Sequence, residues 1–448
     1  MNLKLYRSAT VGLKFDNFKI LMDPWLTDGE YYGSWSHVPY FDLDKNLQEI
    51  NSYDAIYISH IHPDHCSEKT LKKISKKIPI YIHTFHKKFL KLKLENLGFT
   101  VYELQNNKKI NIGSDVEINI IAADNCNPEL CFKHVGCSVL NGNRENSQQI
   151  DTIAIINDKK YCVVNTNDAP YELSLETINE IKNQYEKVDL LLTGYSGAGP
   201  YPQCFPLLTK NEMIIEAKKK REFFLNQAFN FIEKFKPLNY FLFAGTYTLT
   251  GSLWELEKYK GTPTFDEGVN YIEKKINLLN IKNITPVRIN PDNEFDFKSN
   301  NLLLNYKIIS KNEINNYAER ILSFKKLDYE NKKLADKEEI IDLSNIALSR
   351  FNNFKQLTKS KFKTDVYISL DEEFIKISDK NNKVSLVKKI NTDVDYLYMK
   401  LNQNLLFNIL KGPKFAHWNN ADIGSHIRFF RNQDYRKDLH FCLNFFHS

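Results

Sequence analysis

Between Ser59 and Cys66 the chain reads Ser-His-Ile-His-Pro-Asp-His-Cys, which gathers His60, His62, Asp64 and His65 within six residues. The stretch before it, Asp54-Ala-Ile-Tyr-Ile-Ser59, is apolar and β-branched and reads as a buried strand. A strand ending at Ser59 delivers the histidines to a loop at the edge of a sheet. There the alternate residues His60 and His62 can face one point, Pro63 turns the chain, and Asp64 and His65 return toward the same point. Neutral imidazoles with a carboxylate suit zinc, iron or manganese, whereas calcium and magnesium prefer all-oxygen shells. The run therefore predicts a metal site, and a fold that has a sheet edge to carry it.

The surrounding sequence supplies such sheets. Strands are expected at Leu3–Tyr6, Thr10–Phe15, Phe18–Met22, Pro79–Ile82, Val101–Leu104 and Val116–Ala122, with helices near Glu68–Ile78 and Lys87–Leu97 between them. Thr152–Ile156 and Tyr161–Asn165 read as a hairpin that opens onto Thr166-Asn-Asp168. Val188–Thr193 is a buried strand running into the small-residue loop Gly194–Pro200, and Tyr240–Phe243 ends at Ala244-Gly-Thr-Tyr247. Strands that alternate with helices and end in polar or Gly-rich loops predict an α/β fold, an αββα sandwich with a site along one edge. A long amphipathic helix is expected over 209–236, with Lys218-Lys-Lys-Arg221 as a solvated face. Beyond about residue 300 the texture changes. Two helices (about 311–325 and 335–355) precede strands at 365–370, 373–378 and 383–388, so residues 1–300 are expected to form the metal-binding catalytic domain and 301–448 a mixed α/β C-terminal region.

The chain's bulk properties narrow its partners. With 448 residues, 42% of them hydrophobic and 30 Phe and 24 Tyr among them, it can bury a sizeable core. No stretch approaches the roughly 18 apolar residues that span a bilayer, and no signal peptide is expected at Met1. Seven cysteines without a C-x-x-C pair fit a reducing cytoplasm. A net charge of +6, spread along helices, does not form the concentrated basic face of a nucleic-acid binder. A small-molecule substrate is expected, with no nucleic-acid or membrane partner.

With the His60/His62/Asp64/His65 cluster placed after its strand, the chain resembles the metallo-β-lactamase superfamily, whose hallmark is H-x-H-x-D-H. Ile20-Leu-Met-Asp23-Pro-Trp-Leu26 resembles the superfamily's early strand-to-Asp element, and Asp168 its metal-bridging aspartate. The likeness is closer to the metal domain of the CMP-N-acetylneuraminate hydroxylase family. It runs through Asp23-Pro-Trp-Leu26, Tyr57–His65, Thr70-Leu-Lys-Lys, Ile150-Asp-Thr152, Val164–Asp168, Gly194–Pro202, Phe243-Ala-Gly245 and Trp418…Ile423-Gly424…Arg428…Arg431. That resemblance implies an enzyme on a nucleotide-activated or N-acylated sugar, inserting oxygen. Two departures qualify it. The family's Rieske domain binds its cluster with a Cys-x-His and a Cys-x-x-His together; the chain lacks this set, so electrons are expected from a separate protein. The superfamily also places a histidine shortly before the Thr152 strand, where this chain has Asn143–Gln149, and its late histidine ligand has no counterpart between His134 and His417.

The expected ligand set is therefore His60, His62, His65 and Asp168 around one or two ions of iron or zinc, with Asp64 as ligand to a second cation or as general base, and Asp151 as a further carboxylate ligand. Tyr195 and Tyr247 follow strands and are candidates for holding substrate. Arg428 and Arg431, three apart and placed on one helix face, are candidates for a phosphate or carboxylate. His134 is a candidate neighbour of the metal. His83 and His86 are read as satisfied surface histidines, His417 and His426 as structural histidines and Cys66 as a packing residue. The H-x-H-x-D-H core taken alone points instead to hydrolysis of a phosphodiester, amide or ester. A metal-free binding protein derived from such an enzyme is the third class.

Overall fold

The computed structural model describes residues 1–123, 127–135, 151–330, 332–378 and 383–448. The Asn143–Gln149 stretch and Ile150 lie outside the described residues.

Two sheets face one another. The first has eight strands in the spatial order Asn301–Leu302, Glu294–Asp296, Asn2–Arg7, Thr10–Lys14, Lys19–Met22, Ala55–Tyr57, Ile80–His83 and Val101–Leu104. The second has seven, in the order Thr285–Pro286, Asn239–Phe243, Leu190–Gly194, Cys162–Asn165, Thr152–Asn157, Val116–Ala122 and Ile110–Gly113. The period of two in a strand sorts side chains to opposite faces. Leu3, Val11, Leu13, Ile20 and Met22 point inward to meet Ile118, Ala154, Val163 and Phe241 of the second sheet. Leu21, Ile56 and Ile58 point outward, against Leu43, Ile50, Leu71, Leu90 and Leu94. On the far side Ile153, Ile155, Val164 and Leu191 are covered by Ile178, Ile181, Leu225, Phe229, Ile232 and Ile272 of three helices. Each fully buried Leu, Ile or Phe contributes about 1.5–3 kcal/mol. The result is the αββα sandwich expected from the sequence.

The hairpin forms as anticipated, with Ala154 opposite Asn165 and Asn157 opposite Cys162. The chain then crosses in parallel to Leu190–Gly194 and Asn239–Phe243. Parallel strands bring their C-terminal ends to one edge, so the loops after Asn165, Gly194 and Phe243 gather there. The Lys19–Met22 and Ala55–Tyr57 strands are also parallel, and they deliver Asp23 and the histidine run to that edge.

Past Leu302 a helix at Lys311–Arg320, a 3₁₀ turn at Leu322–Phe324 and a helix at Lys337–Leu357 lead to a third sheet. Its five strands run Ser385–Val387, Glu373–Ile377, Asp365–Leu370, Tyr396–Lys400 and Arg428–Arg431. Its core is shared. Trp25, Tyr31, Trp35, Phe205 and Tyr247 from the first part pack in one cluster with Leu348, Phe351, Ile368, Leu406, Trp418 and Phe429. Among the described residues no helix is long and apolar enough to cross a membrane.

Candidate metal centre

The Ala55–Tyr57 strand ends where the sequence anticipates, and Ile58 and Ser59 lead into the histidine loop. That loop is compact because the N–H groups of His65 and Cys66 both bond to the carbonyl of His62, at 3.0 and 2.8 Å. Ser67 then caps the Glu68–Lys73 helix by accepting from the Thr70 N–H. Cys66 is fully buried in the apolar layer behind the loop, as a packing residue would be.

Two histidines are oriented from behind. The carboxylate of Asp23, itself wholly buried, stands 2.9 Å from His65 Nδ1 and accepts from the Ser59 N–H at 2.7 Å and the Ser59 hydroxyl at 2.9 Å. Ser59 Oγ lies 2.9 Å from His60 Nδ1. With Nδ1 occupied in each ring, Nε2 of both histidines is turned toward the sheet edge. A hydrogen bond at one ring nitrogen sets which one is free to act as a ligand. Asp23 has a positive φ of 47°, which turns the chain from its strand so that the side chain lies under Ser59.

Ligand atoms converge at the front. His60 Nε2 is 2.9 Å from His62 Nδ1, 3.9 Å from Asp151 Oδ1 and 4.0 Å from Asp168 Oδ2. His65 Nε2 is 3.4 Å from Asp168 Oδ2 and 3.7 Å from Asp64 Oδ2. Donors held at 2.0–2.2 Å around a tetrahedral cation are separated by about 3.4 Å, and the separations of Asp168 from the two histidines are of that order. His60, His65 and Asp168 offer ligand atoms that all lie within 4.8 Å of one another. Asp168 faces both histidines. The imidazoles of His60 and His65 are fully buried, whereas the Asp168 side chain is 36% exposed, which makes its side the open one.

The electrostatics of the cluster call for a cation. Burial opposes protonation of His65, yet the carboxylates of Asp168, Asp23 and Asp64 outweigh it and raise the pKa well above the ordinary imidazole value. Burial drives His60 well below that value, reinforced by His65 and His62, and it lowers His62 as well. Burial raises Asp64, with Asp168 adding to the effect, while the net shift of Asp168 is downward because His65 overcomes its burial. One imidazolium thus has to balance several carboxylates. His65 Nε2 is buried and makes no hydrogen bond, although two carboxylates flank it. Neutral nitrogens, carboxylates and an unsatisfied inward-facing ring nitrogen fit a borderline transition metal.

The other expected residues fall into two groups. Asp151 borders the cluster beside His60. His134 does not join it: its Nε2 lies 2.9 Å from Glu172 Oε2. Cys131, which makes with His134 the chain's Cys-x-x-His spacing, is buried in a small apolar cluster with Leu173. His83 is buried rather than on the surface, against Asn106 at 3.2 Å, and burial lowers its pKa to about 4. His86 is exposed. His417 caps the Trp418–Ile423 helix, and His426 sits between the Tyr31 carbonyl at 2.7 Å and the Tyr329 hydroxyl at 2.9 Å.

Tyr195 is buried under Gly245 and Gly268, where a Cβ at either glycine would strike its ring. Tyr247 stacks on Trp35 with centroids 3.5 Å apart and takes the Lys260 ammonium on its carbonyl. The loop glycines serve packing: Phe224 occupies the space beside Gly197, and bare Gly194 lets the Asn167 carbonyl approach.

Arg428 and Arg431 correct the sequence reading. They lie on a strand, Arg428–Arg431, not a helix. In a strand a spacing of three puts side chains on opposite faces, so the two forks do not combine. Arg428 donates to the Ser425 carbonyl at 2.9 Å and to Cys204 Sγ at 3.3 Å, while the Arg431 guanidinium lies over the Phe205 and Tyr435 rings. A second correction concerns the basic run. Lys218 is exposed, but Lys220 turns inward to the carbonyls of Gly199 and Tyr201 at 3.1 and 3.0 Å. A 3.6-residue period distributes four successive residues around the helix, so a run of four charges cannot all share one face.

Three contributors escape sequence reading. Tyr31 donates its hydroxyl to Asp64 Oδ1, from a turn at Glu30–Gly33 with no motif. Asn419 brings its amide nitrogen 3.2 Å from His62 Nε2, across 357 residues of chain. Tyr57 ties the sheets beneath the site, its hydroxyl 2.9 Å from Thr152 Oγ1 and accepting from Asn167 Nδ2 at 3.2 Å.

Comparison with known proteins agrees with this geometry. Residues 2–217 match the family model of the beta-lactamase superfamily domain. The chain is similar to the cytidine monophosphate-N-acetylneuraminic acid hydroxylase of Danio rerio, 27% identical over 252 residues, which is 54% of this chain and 37% of that protein. It thus spans little more than a third of the length of that relative. Among solved structures it is similar to CmlA, a diiron beta-hydroxylase from Streptomyces venezuelae, with a TM-score of 0.43 and 15% identity over 65% of this chain and 53% of that one. It is also similar to a possible metal-dependent hydrolase from Veillonella parvula, with a TM-score of 0.43 and 14% identity over 66% of this chain and 98% of that one. With its sandwich, its H-x-H-x-D-H loop and the shared Asp168 in place, residues 2–217 form a domain of the metallo-β-lactamase superfamily.

Proposed function

We propose that the chain is a metal-dependent oxygenase that hydroxylates an N-acylated or nucleotide-activated sugar, with electrons from a separate protein. The observation that carries this reading is the likeness to a hydroxylase acting on a nucleotide sugar, over half of this chain. The donor set supports it, since imidazole with carboxylate suits iron as well as zinc.

In this reading His60, His62, His65 and Asp168 would hold the metal, with Asp151 as a further carboxylate beside His60 and Asp64 as a ligand to a second cation where two bind. Bound iron would supply redox chemistry toward dioxygen, and bound zinc Lewis acidity. The chain's own residues do the rest. Asp23 and Ser59 keep the two imidazoles turned to the front. Tyr31, whose own pKa burial raises well above the ordinary phenol value, stays protonated and holds Asp64 Oδ1. Where one cation binds, Asp64, with its pKa raised by burial, is placed to take up a proton at Oδ2 instead. Tyr247 and the loop after Gly194 border the open edge, where substrate would lie, and the proposal keeps Tyr195, Tyr247, Arg428 and Arg431 as substrate-positioning candidates, with Tyr195 acting from beneath.

A second reading, hydrolysis of a phosphodiester, amide or ester, rests on the H-x-H-x-D-H loop with Asp168 facing both His60 and His65, a donor set that suits zinc as well as iron. Metal analysis of protein purified without chelator, beside His60→Ala and Asp168→Ala, separates the readings. Iron lost in both variants, with oxygen uptake when a reductase and a nucleotide sugar are supplied, supports the oxygenase. Two zincs with turnover of bis-p-nitrophenyl phosphate support the hydrolase. Protein that binds neither metal overturns both and leaves the metal-free binding protein.

A further inference from the structure

A second cavity lies apart from the metal cluster. It is half-open, about 430 Å³ in volume, and walled by the Gly199–Tyr201 loop, the Lys210–Phe235 helix and the C-terminal segment. None of His60, His62, Asp64, His65, Asp151 or Asp168 lines it. Its size suits a small organic molecule, since pockets for such ligands run from roughly 300 to 1,000 Å³. Most of the lining is apolar and aromatic, from Tyr201, Phe205 and Tyr435, with Lys220, Asp422, Arg431 and His440 among them; burial lowers His440 to about 3, so it stays neutral.

These groups are incompletely satisfied by the protein. The Arg431 guanidinium is held between the Phe205 and Tyr435 rings, 5.3 Å from each centroid. Stacking engages the faces of the guanidinium plane and leaves its N–H edge for a ligand. Nη1 on that edge is buried and has no hydrogen-bond partner. Asp422 Oδ1 is likewise buried without one. Lys220 spends two of its three donors on backbone carbonyls, which fixes the ammonium at the wall. Buried polar atoms are nearly always paired, so an unpaired donor and an unpaired acceptor in one cavity point to a ligand carrying both complements. Burial lowers Lys220 to about 7 and raises Asp422 to about 7, which leaves Arg431 as the fixed charge among the lining residues and the cavity positive near neutrality.

We propose that this cavity is a binding site for a small oxyanion, a carboxylate or phosphate monoester, that carries a hydrogen-bond donor on an apolar body. Arg431 binds the oxyanion through its free edge, Asp422 accepts from the donor, and Tyr201, Phe205 and Tyr435 enclose the apolar part. The site takes Arg431 from the substrate-positioning candidates named above, and its test reads binding alone, whether or not the proposed reaction holds. One element links it to the histidine cluster: the Trp418–Ile423 helix carries Asn419 to His62 and Asp422 to the cavity.

Titration calorimetry on the full chain tests this with mandelate, which has the carboxylate, the hydroxyl donor and the ring. Phenylacetate lacks the donor, methyl mandelate lacks the anion, and phenyl phosphate exchanges the anion. Saturable binding of mandelate or phenyl phosphate with Kd on the order of 1 mM or tighter is expected, and the better of phenylacetate and phenyl phosphate, neither of which carries the alcohol donor, identifies the oxyanion. Methyl mandelate should bind at least tenfold more weakly than mandelate, and phenylacetate several-fold more weakly. Arg431→Met should lose tenfold or more, and Arg431→Lys, which keeps the charge but not the fork, should recover part of it. Should Arg431→Met fail to match the wild-type melting profile, Arg431→Lys and Asp422→Asn carry the comparison. The proposal is overturned if neither mandelate nor phenyl phosphate binds saturably, or if folded Arg431 variants bind as the wild type does.

Discussion

Asp23 supplies no ligand atom, yet its two oxygens organise Ser59 and His65 at 2.7–2.9 Å. Carboxylates that hold a ligating histidine by its second nitrogen are typically worth 10–100-fold in metal affinity. Asp23→Asn should therefore bind zinc or iron about 10–100-fold more weakly, measured by competition with a chelator, with His60 still in place. A second residue-scale prediction concerns Glu30, which is buried and accepts from the Ser67 hydroxyl at 2.6 Å. Burial raises its pKa from 4.5 to about 7. A folded-state pKa raised above the unfolded one gives stability that is fully present below about pH 4.5 and lost as pH rises through about 7. Glu30→Gln keeps the Ser67 bond without the titration. It should gain stability relative to wild type between pH 5 and pH 8, by up to about 3 kcal/mol, in denaturant melts at the two pH values; a constant difference would contradict this. At this scale the histidines were legible in the sequence because short spacing alone brings them together. Tyr31 and Asn419 were not, because nothing near them in sequence announces a partner far away in the chain.

Secondary elements decide which side chains share a face. The amphipathic period identified the Lys210–Phe235 helix, and apolar β-branched runs identified the inner strands of both central sheets, though not the strands at Ile110–Gly113, Thr285–Pro286, Glu294–Asp296 and Asn301–Leu302. The same reasoning failed at Arg428 and Arg431, where polar spacing suggested a helix and pairing with Tyr396–Lys400 made a strand. Strand pairing is a long-range interaction, and four residues of local pattern do not specify it. The elements are also tied across the sandwich just under the site. Tyr57 of the first sheet meets Thr152 and Asn167 of the second, and Asn167 additionally donates to the Thr152 carbonyl at 3.1 Å. Tyr57→Phe removes one hydroxyl from this buried junction and should cost about 1–2 kcal/mol in chemical denaturation. It should also weaken metal binding measurably, since Asn167 precedes Asp168. A stability loss with unchanged metal affinity would show that the junction supports the fold but not the site.

For the whole molecule the consequential feature is the shared core. Trp25, Tyr31, Trp35 and Tyr247 pack with Trp418, Phe429 and Leu406, so the metal-site loops and the C-terminal region bury one another. Removing either side would expose these residues to water at a cost of about 25 cal/mol per Å². Denaturant unfolding of the full chain should therefore show one transition, coincident by tryptophan fluorescence and far-UV circular dichroism. Two separated transitions would mean that the regions before and after about residue 300 fold independently. A fragment ending at Leu303 should in turn bind a hydrophobic dye that the full chain excludes.

The sequence by itself determined the sandwich and one wall of the candidate metal centre. Hydrophobic period and the His60–His65 spacing are local properties, set by strand and helix geometry wherever the segment lies. The tertiary structure decided what stands opposite that wall. It brought Asp168 and Asp151 to the histidines, set Asp23 behind them, carried Asn419 from the C-terminal region to His62 and parted Arg428 from Arg431. Those placements depend on sheet order and on which faces bury one another. Such long-range choices are made by the summed packing of the chain and leave no mark at the residues they move.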